Sequence, residues 1–449
     1  MEMCIQQWNR VVQNAVQNEI GDLLDGEFLT VSYPAGLPCC VRQQYYNSEF
    51  LSTIDTRIVT EEGVAFLKKG FSSLYRKVIE CVKYDFSRAD YRLMEKELAV
   101  QNSMVSEIIR MYEQSGLDNE PDEYASVFYI LKRILEVTGS NYMDVDIEKY
   151  PKLAGLCLKL REYSEKIKNT EDLLNAWKNA ESRKKSIIEH ISGPNRENGG
   201  IYVGKDRACV GWEKLPDTEE LLNGLNSGRE ITVSIFIDSF NKNYSSIHYT
   251  ENMVEDAPFC HILKIKKGQD QEYDLSNLAG SNSTINVFVF FHGVTVIEIS
   301  PENLSLDGKK GWFDKHILCE TARNSEKDST GYLLNGSEFN CSELFGQNGK
   351  LCRLKTFVIS QKPEIVLDFK EFSRNKLQTI FTEDGNVSFE FMEGTIKEND
   401  YLGQPVSSFN YGDEAEHFTV SLSPAPTLCR NADSCVTAHI LGGIAEYYE

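Results

Sequence analysis

The spacing of oily side chains changes once along this chain, close to residue 192, and that change limits what its two parts can become. Up to His190, apolar residues recur every three or four positions, the period of one face of an α-helix. After Asn198, Gly199 and Gly200 they alternate, the period of a half-buried strand. Ser192, Gly193 and Pro194 stand between the two rhythms and stop a helix abruptly.

In the front part the first stretch repeats at Ile5, Trp8, Val12, Val16 and Ile20. Pro34, Gly36 and Pro38 force an irregular crossing, after which helical spacing resumes through Phe50, Leu51, Ile54 and Ile58. It returns through Val64, Leu67, Phe71, Leu74, Tyr75, Val78 and Val82. Ser87 followed by Asp90 reads as an N-cap opening a helix over 88–113, about 37 Å long at 1.5 Å per residue. Pro121 stands at a first helical position and opens a shorter, more apolar helix that runs to Gly139. Two charged helices follow, over 152–168 and 170–191, the second capped by Thr170.

In the back part Ile231, Val233, Ile235 and Ile237 alternate with Thr232, Ser234 and Phe236. Ile285, Val287, Val289 and Phe291 repeat the pattern, His292 and Gly293 offer a two-residue turn, and Val294, Val296 and Ile299 return, so a hairpin is expected. Phe288 and Phe290 lie opposite Val287 and Val289, and apolarity on both faces fits a central strand of a sandwich better than a membrane hairpin. Further strands are expected at 354–359, 364–369, 387–391 and 418–422. The fold class that follows is a multidomain α+β protein: an N-terminal bundle of long amphipathic helices, then a mainly antiparallel, β-sandwich-like C-terminal region. The expected domains are an all-α bundle over 1–192, a β-rich domain over 193–370 and a terminal β-rich segment over 371–449. No repeat of 20 to 50 residues points to a solenoid or propeller.

A chain of 449 residues exceeds what one core usually fills. Its net charge is −21, of which residues 1–190 carry −6 and residues 191–449 carry −15. Phosphate recognition needs clustered Lys and Arg, so nucleic acid is not an expected partner. The first ten residues mix polar and charged side chains with apolar ones and do not form a signal peptide. No run reaches the 18 or so apolar residues of a spanning helix. The reading is a soluble chain made in the cytoplasm. Twelve cysteines at irregular spacing read as reduced, mostly buried thiols. Six sequons, beginning at Asn243, Asn282, Asn303, Asn335, Asn340 and Asn386, read as turn residues.

No constellation of catalytic residues emerges. G-x-S-x-G, P-loop, G-x-G-x-x-G and H-E-x-x-H patterns are all missing. His316 with Cys319, Cys435 with His439, and Cys260 beside His261 lack the paired spacing of a structural zinc site. No enzyme, cofactor or metal is therefore expected. Carboxylate pairs are abundant, but their separation in space is not written in the sequence. Two stretches stand out as contact surfaces. Val127, Phe128, Tyr129, Ile130, Leu131, Ile134 and Leu135 make a helix apolar around most of its circumference, able to touch a membrane but better suited to sit inside a bundle. Trp312 and Phe313, beside Gly311, with Tyr332 beside Gly331, suit a ligand platform and equally the plugged end of a sandwich.

The whole layout resembles bipartite α-helical pore-forming toxins, insecticidal ones among them, in which a bundle of amphipathic helices is joined to a β module. The resemblance is architectural and spans the chain. It implies a soluble monomer that binds a target-cell membrane and a surface receptor through its β region, inserts or rearranges its helical part and homo-oligomerises there. This chain departs from that pattern in having no helix that is both long and apolar. The alternative is a non-enzymatic structural or adaptor protein that docks a partner through its helical part.

Overall fold

In a computed structural model the description covers residues 2–31, 37–42, 51, 54–57, 67–117, 126–203, 207–240, 244–250, 253–257, 263–267, 271–324, 327–334, 339–347, 349–361, 363–382, 387–391, 406–414, 417–424 and 435–449. Pro34, Gly36, Phe50, Ile58, Val64, Pro121, Cys260 and His261, singled out above, lie outside the described residues. The chain mixes helix and strand, and its strands form an antiparallel, curled sheet. The main helices are α1 (Glu2–Ile20), α2 (Phe71–Cys81), α3 (Arg88–Ser115), α4 (Val127–Thr138), α5 (Ala154–Ser192), α6 (Thr218–Ser227), α7 (Lys315–Asn324) and α8 (Arg374–Thr382).

Two compact units form. The first gathers Met1–Glu80, Ser186–Lys315 and Glu338–Glu449, and the second gathers Cys81–Lys185 and His316–Ser337. Residues before 192 thus enter both units.

The first unit is organised on an 11-stranded sheet. In chain order its strands are β1 (Phe28–Thr30), β2 (Leu37–Arg42), β3 (Arg229–Asp238), β4 (Ser245–Thr250), β5 (Met253–Ala257) and β6 (Ala279–Glu298). They continue with β7 (Arg353–Ser360), β8 (Glu364–Phe372), β9 (Val406–Glu414), β10 (His417–Pro424) and β11 (Cys435–Glu446). Strand β6 is the centre. On one edge Ile285, Val287, Val289 and Phe291 face Ile237, Ile235, Val233 and Ile231 of β3. On the other edge Ile285, Val287 and Val289 face Phe369, Leu367 and Ile365 of β8. All of these side chains are buried, so the alternation read from the sequence is the inward register of three neighbouring strands. Helix α1 lies on that inner face. Trp8, Val12, Val16 and Ile20, spaced by four, form one stripe that joins the same core together with Leu377 and Ile380 of α8. Each such side chain contributes about 1.5–3 kcal/mol through burial.

The expected hairpin over 285–299 is instead one continuous strand of 20 residues. Phe290 of β6 faces Glu364 and Thr295 faces Ile359, so β8 and β7 follow one another along a single edge of β6 in unbroken register. His292 and Gly293 mark a bend. Gly293 takes φ +62°, and a Cβ there would stand 1.8 Å from the carbonyl oxygen of Leu225 in α6. Gln361 bonds across the bend through its amide to His292 O and through its side chain to Leu225 O, both at 2.8 Å. A glycine that reads as a turn in sequence also permits a bulge, and only the partner strand decides which forms. The same long-range pairing draws in the front of the chain. Phe28–Thr30 and Leu37–Arg42 both pair with β11, where the sequence pattern leads to expect a helical bundle alone. Thr56–Arg57 and Leu67–Gly70 likewise pair as a short ribbon.

Helix α2 starts on a cap supplied from that ribbon. Asp55 accepts from the Ser72 amide at 2.8 Å and the Ser72 hydroxyl at 2.6 Å, and its carbonyl accepts from Phe71 N. These satisfy orphan donors of the first turn. Burial pushes the Asp55 carboxyl up to about 6, against the lowering effect of the Ser72 hydrogen bonds.

The second unit is helical at its centre. Ile108 and Tyr112 of α3, Ile130 and Ile134 of α4, and Leu156 and Leu160 of α5 share one core. Ser87 caps α3 by accepting from Asp90 N, as its spacing predicts. Helices α3 and α5 run antiparallel along three polar rungs: Glu107 with Lys159 at 2.7 Å, Gln101 with the Tyr163 hydroxyl at 2.8 Å, and Glu97 with Asn169 Nδ2 at 2.8 Å and Thr170 N at 2.9 Å. The two helices expected at 152–168 and 170–191 are one helix. Asn169 and Thr170, whose types suggest a cap, turn to Glu97 instead.

Asp55 gives a pH test. Its folded value lies above the ordinary 3.8, so the fold prefers the protonated form. That contribution is full below pH 3.8 and is lost as pH rises through about 6. The urea unfolding free energy of the wild type is expected to fall, relative to Asp55→Asn, by up to about 3 kcal/mol between pH 4 and 7. Identical pH profiles for the two proteins would contradict the assignment.

Candidate functional site

Helix α4 is bounded by strong signals at both ends. Ser126 accepts from Tyr129 N at 3.2 Å, and Gly139, at φ +68°, closes the helix by donating to Leu135 O at 2.9 Å. Within its 12 residues the apolar arc is wider than the bundle covers. Ile130 and Ile134 are fully buried, Val127 packs beside them, and the Tyr129 ring meets Tyr112 edge-on at 6.2 Å. Phe128, Leu131 and Leu135, at i, i+3 and i+7, share the next face. Leu131 is half-buried, while Phe128 is 77% and Leu135 53% exposed. Lys132 and Arg133 flank them, each paired with Glu136, at 3.7 Å and 2.8 Å.

The seven residues expected to contact a membrane therefore divide. Ile130 and Ile134 are structural, Val127, Tyr129 and Leu131 lie at the margin, and Phe128 and Leu135 form an open stripe. Leu98, whose spacing puts it on or near the apolar face of α3, is instead 52% exposed, and the sequence pattern does not single out Leu158 and Trp177, exposed on α5. The signal was a second apolar position outside the main stripe of each helix.

Trp312 and Phe313 do not form an open platform. Their exposures are 1% and 4%, because they fill the centre of an aromatic cluster. Trp312 lies 5.6 Å from Trp212, 5.8 Å from Tyr75 and 6.2 Å from Phe71, and Phe313 lies 5.9 Å from Tyr448. Trp312 Nε1 donates to Gly211 O at 2.6 Å. The left-handed Gly311 lets the chain turn in, since a Cβ there would meet Asn303 O at 1.9 Å. Tyr332 is equally buried but belongs to the second unit, paired with Tyr84 in backbone register and ring to ring at 5.3 Å.

Beside the cluster sits a buried ion pair. Arg353 Nη2 meets Glu446 at 2.7 Å, and Nη1 donates to Ile299 O at 2.8 Å and Leu354 O at 3.0 Å. Lys315 Nζ reaches the same carboxylate at 2.8 Å, and the Tyr448 hydroxyl donates to it at 3.3 Å. Burial by itself would raise Glu446, but the Arg353 and Lys315 charges hold its carboxyl below the usual range. Burial drives the Tyr448 phenol far up.

Of the carboxylate pairs that sequence left open, Glu213 and Glu302 come together. Burial, then the Glu213 charge, pushes the Glu302 carboxyl up. Glu213 is engaged by Asn303 N at 3.1 Å and Asn303 Nδ2 at 3.3 Å. Glu302 lies on glycine backbone, so that a Cβ at Gly199 or Gly211 would come within 2.3 Å or 2.0 Å of its Oε2. This arrangement braces a loop. Among the described residues no group of three or more His, Cys, Asp or Glu side chains is placed to hold a metal ion. His316 lies 3.5 Å from Glu320.

Compared with models of protein families, with curated proteins and with solved structures, the chain matches none.

Two substitution series separate the open stripe from its supports. Phe128→Ser and Leu135→Ser are expected to change unfolding free energy by less than about 0.5 kcal/mol, and Ile134→Ala to cost about 2–5 kcal/mol. A large loss from Phe128→Ser would show that its ring is part of the core. Arg353→Met removes the buried partner of the Glu446 carboxylate, leaving it Lys315 and the Tyr448 hydroxyl, and is expected to cost about 3 kcal/mol, with part regained in the double variant with Glu446→Gln. A neutral Arg353→Met would contradict the role given to the pair.

Proposed function

We propose that this is a docking protein whose helical unit holds a partner protein through the stripe Phe128, Leu131 and Leu135 of α4. The observation that carries the reading is Phe128, a large ring left in water on a helix anchored from its other side by Ile130 and Ile134. A rigid aromatic side chain at the centre of an apolar stripe, with charges at its rim, has the composition of a binding hot spot. The complementary surface is an apolar groove or helix face bearing charges to meet Lys132 and Glu136. In this reading α3 and α5 are the long amphipathic struts of a bundle that presents α4, and the curled sheet with α1 serves as a separate sandwich-like module.

This takes the adaptor reading over the pore-forming one. At 12 residues α4 spans about 18 Å, against a hydrocarbon core of about 30 Å. Among the described residues no helix is long and apolar enough to cross a membrane.

The test places a photo-crosslinking benzoyl-phenylalanine at position 128 of the full chain, in the cells that make it, with the same probe at exposed Glu95 as control. A discrete protein adduct is expected at 128, absent at 95 and lost on adding Leu135→Ser. Equal adducts at both positions would refute the docking face. Release of dye from phosphatidylcholine and phosphatidylserine vesicles, abolished by Phe128→Ser, would refute it in favour of a membrane-active role.

A further inference from the structure

The register that turns Val287 and Val289 of β6 into the core turns Asn286, Phe288, Phe290 and His292 to the other side of the sheet. There they form a ladder. The Phe288 and Phe290 rings stack at 6.2 Å with 23° between planes, and Phe290 and His292 stack at 6.2 Å with 11°. All three are half-buried, as expected for rings flanked by neighbouring strands and uncovered from above. The next strand extends the face, since Phe236 sits beside Asn286 and its ring meets His248 of β4 at 5.4 Å. Val254 of β5, beside His248, is exposed on the same side.

Carboxylates surround these rings. Glu230 bonds His292 Nδ1, and Glu364 stands 3.7 Å from its Nε2. Asp238 lies 3.1 Å from His248 Nε2, and Asp368 accepts from Asn286 Nδ2 at 3.3 Å. Asp256 continues the series beside Ser246. The matching basic residue in this register is Lys370, at the far end of β8. Aromatic faces carry negative potential, and guanidinium groups lie on them favourably. Acidic rims steer cations toward the face, and the net charge of −15 over residues 191–449 reinforces this over longer range. The spacing is equally specific. Rings repeat every 6.2 Å along β6, and alternate side chains of an extended peptide repeat every 6.6 Å or so.

We propose that this outward face binds an extended cationic segment of a partner protein, with arginines at alternate positions laid over Phe288, Phe290 and His292 and their charges met by Glu230 and Glu364. The proposal is independent of the docking stripe on α4.

The experiment titrates the full-length protein against three fluorescein-labelled peptides at fixed salt: alternating Arg-Ser, the same length with its arginines in one block, and alternating Glu-Ser. The alternating Arg peptide is expected to bind at least tenfold more tightly than either other peptide. Phe290→Leu, which keeps apolar volume and removes the ring, is expected to weaken it at least tenfold. Glu230→Gln is expected to weaken it about threefold and to reduce the dependence on salt, while Phe128→Ser leaves it unchanged. Equal affinity for the blocked and alternating peptides overturns the proposal, because a diffuse acidic surface does not read spacing. Unchanged affinity in Phe290→Leu overturns it as well.

Discussion

Strand β6 is held on both edges over its first half, by β3 and β8, and runs past Gly293 to pair with β7 in the same register. Everything else in the first unit takes its position from that pairing. A one-residue slip would exchange Val287 and Val289 for Phe288 and Phe290 and move the core to the other side of the sheet. Because the register is pinned by partners on two edges, one face is free to bury isoleucine and valine against α1. The other carries aromatic rings and histidines among carboxylates. The bend is where glycine is required, since the positive φ and the nearby Leu225 carbonyl leave no room for a side chain.

The far end of the sheet closes by electrostatics inside an aromatic cluster. Arg353, near the start of β7, and Glu446, at the end of β11, meet where Trp312, Phe313 and Tyr448 exclude water. A buried pair of this kind is weak evidence of net stability, but it specifies which strand ends meet, because any other arrangement leaves a charge unpaired. The helical unit uses a different device. Its core is apolar, and the polar rungs from Glu97, Gln101 and Glu107 to α5 set how α3 and α5 align. A helix seated on such a frame can leave Phe128 and Leu135 in water without losing its own structure, which the docking reading requires.

Local features were legible in the sequence. The stripe Trp8, Val12, Val16 and Ile20, the Ser87 cap and the alternation through Ile231 to Ile237 all rest on near neighbours, and each appears in the fold. Features decided by distant partners were not legible. His292 and Gly293 have the composition of a turn, and only the common register with β7 and β8, from Thr356 to Lys370, makes them a bend. Residues 28–30 and 37–42 become strands because β11, four hundred residues later, offers its edge. Trp312 and Phe313 looked like a platform because glycine and aromatic residues serve both exposed turns and buried ones. Their burial depends on Phe71, Tyr75 and Trp212, which the sequence does not place beside them. For α4 the apolar circumference was visible, and which half the bundle would cover was not.

The continuity of β6 is best tested by a distance. Spin labels at Asn286 and Glu298 stand at opposite ends of the bend. In one continuous strand, 12 residues at about 3.3 Å each place them up to about 40 Å apart, and a double electron–electron resonance measurement is expected to give well over 20 Å. A hairpin turning at His292 and Gly293 would bring the same two positions side by side, and a separation near 10 Å would contradict the account.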